Sequence, residues 1–266
     1  MKKFTFLFLL LSSFFLQVRA QQTIDVPVAG ALGSVTSSPA TITGTIDARD
    51  FKFMRDEMTV LSVLDLSAVS IARYEGVEGT IDVGIPMSFT YPANVIPQMA
   101  FSRMGDNGGS QTLTSVVLPE NIVGIDGSAF ADAQALESLV IPALVENFGA
   151  NAFAGCDALS SITSLRVEPV TIAQSVFSGV NKNSCVLYVP YGSASAYSTT
   201  QYWSEFTNIQ ELAEHSGTYI PEAGTLASVL IGLGLNPATL VELTLSGNID
   251  ARDFNPNYAL EFRKPS

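Results

Sequence analysis

The chain has 266 residues, with 13 Lys and Arg against 25 Asp and Glu, for a formal net charge of −12 at pH 7. An acidic surface of this kind argues against nucleic acid and anionic lipid as partners, because both require clustered Lys and Arg. Its 47% hydrophobic content is ample for a packed core, which excludes a disordered chain.

The first twenty residues read as an export signal. Lys2 and Lys3 form a basic start, Phe4 to Leu16 is uncharged and mostly apolar, and Val18-Arg19-Ala20 offers a cleavage site. The apolar run of 13 residues is too short to cross a bilayer as a helix, which takes about 20. No later stretch approaches that length, so no membrane span is expected. No cysteine follows the cut, which removes a lipid anchor on the new N-terminus. The expectation is an exported chain starting at Gln21 that is secreted, periplasmic or held at the cell surface. Loss of Lys2, Lys3 and Arg19 would take the net charge to −15. The remaining chain of about 246 residues makes one large or two small domains.

Residues 21–60 read as a capping opening. Ala29-Gly-Ala-Leu-Gly-Ser-Val35 is a short amphipathic segment, and Ile42-Thr-Gly-Thr-Ile-Asp-Ala-Arg-Asp-Phe51 reads as a strand turning into a brief helix. Asp47 and Asp50 suit the first turn of that helix, where acids complement the dipole. Leu61-Ser-Val-Leu-Asp-Leu66 then starts a unit with the frame L-x-x-L-x-L. An insertion around Glu75 to Pro92 stretches this unit, which closes with Ile96-Pro-Gln-Met-Ala-Phe101. Gly105 to Gly109 is a turn cluster. Asp106-Asn107-Gly108 resembles part of a calcium loop, but the other ligands of that pattern are missing.

From Leu113 the units repeat every 23 residues. Leu113-Thr-Ser-Val-Val-Leu-Pro119 … Ala129-Phe130 superimposes on Leu136-Glu-Ser-Leu-Val-Ile-Pro142 … Ala152-Phe153, and a third copy begins at Leu159 and reaches Phe177 one residue late. A fixed period with L-x-x-L-x-L at its head marks a leucine-rich repeat solenoid, an α/β repeat fold with short parallel strands on one face and irregular or short helical segments opposite. Phe130 and Phe153 should stack, both buried. The last unit differs: Cys185-Val-Leu-Tyr-Val-Pro190, then Tyr191 to Tyr197, then Trp203-Ser-Glu-Phe206-Thr-Asn-Ile209. Terminal repeats are atypical because one side of the stack must meet water. The leucine-rich repeat domain with its C-terminal cap thus runs over 61–210, and 211–222 reads as a linker.

The opening then recurs over 223–266. Ala223-Gly-Thr-Leu-Ala-Ser-Val229 repeats the first segment, and Leu245-Ser-Gly-Asn-Ile-Asp-Ala-Arg-Asp-Phe254 repeats the second. Helical spacing predicts a helix over Gly224 to Leu235, and Leu240 to Leu245 reads as a strand. Packing of this segment on the solenoid end near Trp203 and Phe206 is preferred over pairing with a second molecule. This is an incomplete second module.

The frame L-x-x-L-x-[LI]-P…[I/F]-x-x-x-A-F, and the ending C-x-L-Y-V-P-x-G-S-x-x-A-Y…W-x-x-F-x-N-I, resemble the BspA-like leucine-rich repeat family. The likeness covers about Ala29 to Ile209, with the later opening from Ala223 to Phe254. It implies an exported or surface bacterial protein, with adhesion to host or bacterial partners as the usual role. The chain departs from that pattern in its shortness and its few regular repeats.

Little in the sequence points to catalysis. His215 is the only histidine and falls in the predicted linker, so a Ser-His-Asp triad, a Cys-His pair or a multi-histidine zinc site is not expected. Cys156 and Cys185 lack C-x-x-C spacing, and no phosphate-cradling glycine motif occurs. The two cysteines could pair in an oxidising compartment, but Cys156 takes the small buried position that Ala133 fills one repeat earlier. Asp65, Asp126, Asp132 and Glu137 fall at turn or solvated repeat positions, which weakens a two-carboxylate glycosidase reading. No cofactor or metal is expected.

A candidate interaction surface follows from the strand pattern. With Leu113, Val116 and Leu118 inward, Ser115 and Val117 point out, followed by Ser138 and Val140, then Ser161 and Thr163, with Tyr188 beside them. This small, neutral, flat strip suits a protein partner on a host or bacterial surface. The alternative is glycan binding by the aromatic group of Tyr188, Tyr191, Tyr197, Tyr202 and Trp203, and a glycoside-active enzyme stands third. A capping core is the preferred role for those aromatics.

Overall fold

The computed structural model describes residues 22–33, 38–103, 109–212, 218–220 and 245–247. The export signal, Asp106 to Gly108, His215, the predicted helix over Gly224 to Leu235 and its packing on the solenoid end lie outside them. In chain order the elements are β1 (Gln22–Val26), β2 (Ala40–Ile46), α1 (Ala48–Glu57), β3 (Val63–Ile71), β4 (Tyr74–Gly76) and β5 (Phe89–Tyr91). Then come β6 (Val95–Ile96), β7 (Ser115–Val117), β8 (Gly124–Ile125), β9 (Ser138–Ile141), β10 (Asn147–Phe148) and β11 (Ser161–Ser164). The chain continues through β12 (Val186–Val189), α2 (Ala194–Thr199), a 3-10 turn (Trp203–Glu205), β13 (Asn208–Glu211), β14 (Thr218–Ile220) and β15 (Leu245–Gly247).

The leucine frame builds a parallel sheet of eight strands in the order β1-β2-β3-β7-β9-β11-β12-β13. Ser115 pairs with Ser138, Ser138 with Ser161, Ser161 with Val186 and Val186 with Asn208, so each repeat delivers one strand to the same register. Alternate residues turn inward: Leu113, Val116 and Leu118, then Leu136, Leu139 and Ile141, are all buried. In β11 the third position is Ser164 instead of Leu. Its hydroxyl bonds the Tyr197 hydroxyl at 2.7 Å, and Tyr197 Oη in turn donates to the Arg166 carbonyl at 2.9 Å. That chain leaves neither buried hydroxyl unsatisfied.

The side opposite the sheet is irregular among the described residues, apart from a three-stranded parallel ladder of two-residue strands, β10-β8-β6. Three turns place a residue at positive φ two positions before the core phenylalanine: Met99 (58°), Ser128 (53°) and Asn151 (59°). Each turn drives its ring into the core. Phe101, Phe130, Phe153 and Phe177 stack with centroids 5.0, 5.2 and 5.4 Å apart. The predicted Phe130–Phe153 pair is present, its planes 7° apart and both rings fully buried. Edge-on rings close both ends of the stack: Phe51 from α1 meets Phe101 at 82°, and Phe206 meets Phe177 at 84°.

The opening region folds as the strand, turn and helix its sequence predicts. Asp47 caps α1, with the Asp50 side chain accepting from the Asp47 backbone to complete a capping box. The insertion after β3 forms the antiparallel hairpin β4–β5. Within the stretch 211–222, expected as a linker, Glu211 lies in β13 with its Oε1 accepting from Ala194 N at 3.0 Å, Thr218–Ile220 forms β14, and residues 213–217 and 221–222 lie outside the described residues. Of the strand expected over Leu240 to Leu245, Leu245 alone falls among the described residues, in β15.

Candidate interaction surface

Two outward rows run across the sheet. One carries Val63, Ser115, Ser138, Ser161, Val186 and Asn208, all partly buried. The second pairs Asp65 with Val117, Val140 with Thr163, Thr163 with Tyr188 and Tyr188 with Gln210. Val117 and Val140 are 45% and 43% exposed, whereas Ser115, Ser138, Ser161, Thr163 and Tyr188 are partly covered. Strands in a sheet lie about 4.8 Å apart, so the Asp65-to-Tyr188 row spans roughly 20 Å. Neither row contains Lys, Arg or His, and Asp65, which accepts from Ser67 N, is the single charge. The surface is flat, neutral and fringed with hydroxyls.

Trp203 does not belong to that surface. It is 1% exposed, its indole Nε1 donates to the Val170 carbonyl at 2.8 Å, and its ring packs edge-on to Phe148 and Tyr197. The capping role accounts for it: the stack needs a large ring over its last phenylalanine, and Trp203 and Phe206 supply two. Tyr197 is equally buried, which leaves Tyr191 (61% exposed) and the partly covered Tyr188 and Tyr202 as aromatics near solvent at this end.

Cys156 and Cys185 are free and fully buried. Cys156 Sγ donates to the Phe130 carbonyl at 3.2 Å. Burial pushes its thiol up to about 12 and that of Cys185 up to about 11. A thiol held that far above neutrality forms no nucleophile.

A cleft of about 370 Å³ lies between α1 and the insertion, lined by Arg55, Asp56, Glu57, Thr80, Asp82, Met99 and Arg103. Its charges centre on Asp56. Asp56 meets Arg55 at 2.8 Å, Arg103 at 3.1 Å and Lys52 at 3.9 Å. Burial alone would raise the Asp56 carboxyl, but the Arg55 hydrogen bond and the charges of Arg55, Arg103 and Lys52 hold it below the usual carboxylate range. Arg55, almost wholly covered, also donates from one terminal nitrogen to the carbonyls of Thr80, Met99 and Ser102. The cleft is therefore a clamp that fastens the insertion to the cap. Sequence reading missed Arg55 because its three acceptors are backbone carbonyls, which leave no mark in a side-chain pattern. Among the described residues no group of three or more His, Cys, Asp and Glu could hold a metal ion.

Residues 88–213 match the BspA type leucine rich repeat region, in six copies. Solved structures similar to the chain include a leucine rich cell surface protein from Faecalibacterium prausnitzii A2-165, at 18% identity, covering 76% of this chain and 67% of that one with a TM-score of 0.28. The pneumococcal vaccine antigen PcpA is 17% identical, covering 86% of this chain and 67% of its own, with a TM-score of 0.30. No curated protein matches. The parallel sheet continues through β3, β2 and β1, ahead of the six matched copies. With a leucine frame, a phenylalanine stack and six matching copies in one array, residues 88–213 form a leucine-rich repeat region of the BspA type.

Proposed function

We propose that the open sheet face between Asp65 and Tyr188 binds a protein partner outside the cytoplasm, on a host or bacterial surface, without catalysis. The observation that carries this reading is the pair Val117 and Val140. Both are more than two-fifths exposed and stand on neighbouring strands of a neutral face in a molecule of net charge −12. Covering apolar surface yields about 25 cal/mol per Å², and a flat face of small side chains loses little conformational entropy when it is covered. The signal-like residues 1–20 support placement outside the cytoplasm, and no helix among the described residues is long and apolar enough to cross a membrane.

Immobilised extracellular-matrix proteins and whole bacterial cells provide the test. A Val117→Lys/Val140→Lys chain should lose at least tenfold in binding, as two interfacial charges without partners imply. Val60→Lys, at an exposed valine outside the strip, should bind like the parent. Undiminished binding by the double variant would reject the strip. The glycan alternative rests on Tyr191 and Tyr188. Saturable binding on a glycan array that Tyr191→Ala abolishes would put it in place of the protein reading.

A further inference from the structure

The insertion is fastened at two places, and the stretch between them is not. Thr80 Oγ1 donates to the Gln98 carbonyl at 2.5 Å, the Thr80 carbonyl accepts from Arg55 at 2.7 Å, and Ile81 N donates to the Tyr91 hydroxyl at 2.9 Å. On the far side Phe89, Thr90 and Tyr91 pair with Gly76, Glu75 and Tyr74 in the β4–β5 hairpin. Between these anchors, Asp82 to Ser88 are all exposed and belong to no helix or strand. From Asp82 to Met87 the backbone makes one hydrogen bond, from Gly84 N to Asp82 Oδ1 at 2.9 Å. Lys52 stands 3.9 Å from the mostly exposed Asp82, and an ion pair of that kind holds little.

Val83, Ile85 and Met87 are exposed apolar residues two apart, with Gly84 and Pro86 between them. Straightened, the stretch is a strand with unpaired amides and carbonyls and alternating side chains. An endopeptidase takes such a strand into its cleft, pairing with its backbone and seating alternate side chains in pockets. Straightening breaks only the Gly84–Asp82 bond, whereas a cut inside the sheet first requires a repeat to open. Access is clear at Gly84, where an atom at the Cβ position would meet nothing within 4 Å. The residue types select the bond. Ile85–Pro86 presents a proline nitrogen without an N–H, and Met87–Ser88 lies against the anchored β5. Val83–Gly84 has a small aliphatic residue on its acyl side and lies clear of both anchors.

We propose that Val83–Gly84 is a processing site for an endopeptidase whose acyl-side pocket takes a small aliphatic side chain. Water is the co-reactant: it adds across the peptide bond, leaving a carboxylate on Val83 and an ammonium group on Gly84. The two pieces stay together, because the contacts across the cut do not involve the loop. Val63, Leu64 and Asp65 of β3 pair with Ser115, Val116 and Val117 of β7. Phe51 packs on Phe101 with centroids 5.9 Å apart, and Tyr74 stacks on Tyr91 at 6.0 Å. Arg55 donates to the carbonyls of Met99 and Ser102 at 2.9 and 3.1 Å. Processing therefore yields a two-chain solenoid with a new N-terminus at Gly84, and leaves the face from Asp65 to Tyr188 intact.

Elastase, whose pocket admits small side chains, is the probe. Applied sparingly to the full chain, its first cut within residues 22–212 should fall at Val83–Gly84, read by intact mass and by N-terminal sequencing from Gly84. The pieces should elute together from gel filtration in buffer and apart in urea. Val83→Asp places a charge in the apolar pocket and should slow that cut at least tenfold with the urea midpoint unchanged. Val77→Asp, at an exposed valine of the insertion outside the stretch, should be cut like the parent. A first cut elsewhere within 22–212, or Val83→Asp cut as fast as the parent, would overturn the site. Pieces that separate in buffer would overturn the two-chain product.

Discussion

At the residue scale the informative groups are the buried ones that could ionise. Cys156 and Cys185 have their thiols pushed up to about 12 and about 11 by burial. Burial also pushes the Tyr197 hydroxyl up to about 12, against the lowering effect of its Ser164 hydrogen bond. All three are neutral when folded and ionise earlier when unfolded, so the unfolded chain sheds protons first as pH rises. Stability from these groups is full at neutral pH and is lost progressively from about pH 9 upward. The urea midpoint should therefore fall between pH 8 and pH 10.5, and Cys156→Ala/Cys185→Ala should lessen the fall. In the same experiment neither thiol should react with an aromatic disulfide reagent at pH 8 until denaturant is added. A midpoint flat to pH 10.5, or rapid labelling of the native chain, would contradict the burial.

At the scale of elements, Arg55 decides how the insertion is held. Its guanidinium serves three carbonyls and Asp56 at once, so Arg55→Ala leaves those acceptors in a cleft that excludes much of the water. A cost of about 2–4 kcal/mol is expected, since bonds to a charged donor are worth about 1.5–3 kcal/mol each and are not additive. Limited proteolysis should then cut between Val77 and Met87, a stretch whose Val77, Val83, Ile85 and Met87 are already exposed. Resistance equal to the parent's would remove the clamp from the account. The strands and the Phe130–Phe153 stack were legible beforehand because a 23-residue period fixes which side chains overlie one another. The α1 entry was legible because Asp47 and Asp50 have the three-residue spacing that suits the first turn of a helix. Arg55 was hidden behind backbone acceptors, and the burial of Trp203 behind the fact that a ring over a core and a ring facing a sugar share the same sequence. The strip was legible as alternation, but whether its valines stood open depended on neighbours beyond the repeat.

At the scale of the whole molecule, the repeat array passes stability from neighbour to neighbour. Phe153→Ala interrupts the stack between Phe130 and Phe177 and should cost about 3–5 kcal/mol, lowering exchange protection in strands on both sides. Trp203→Ala acts at one end, where it should release β12 and β13 while β3 and β7 keep their protection. Equal loss along the whole sheet in Trp203→Ala would mean that the array opens in one step. The neutral strip has a further consequence, for timing. A partner of the proposed kind meeting Val117 and Val140 would find within the two rows no charge except Asp65 to guide it, so encounter there is expected near the unsteered rate of about 10⁵–10⁶ M⁻¹s⁻¹. Grip on that face must then reside in slow departure, and salt in the surrounding fluid would change it little.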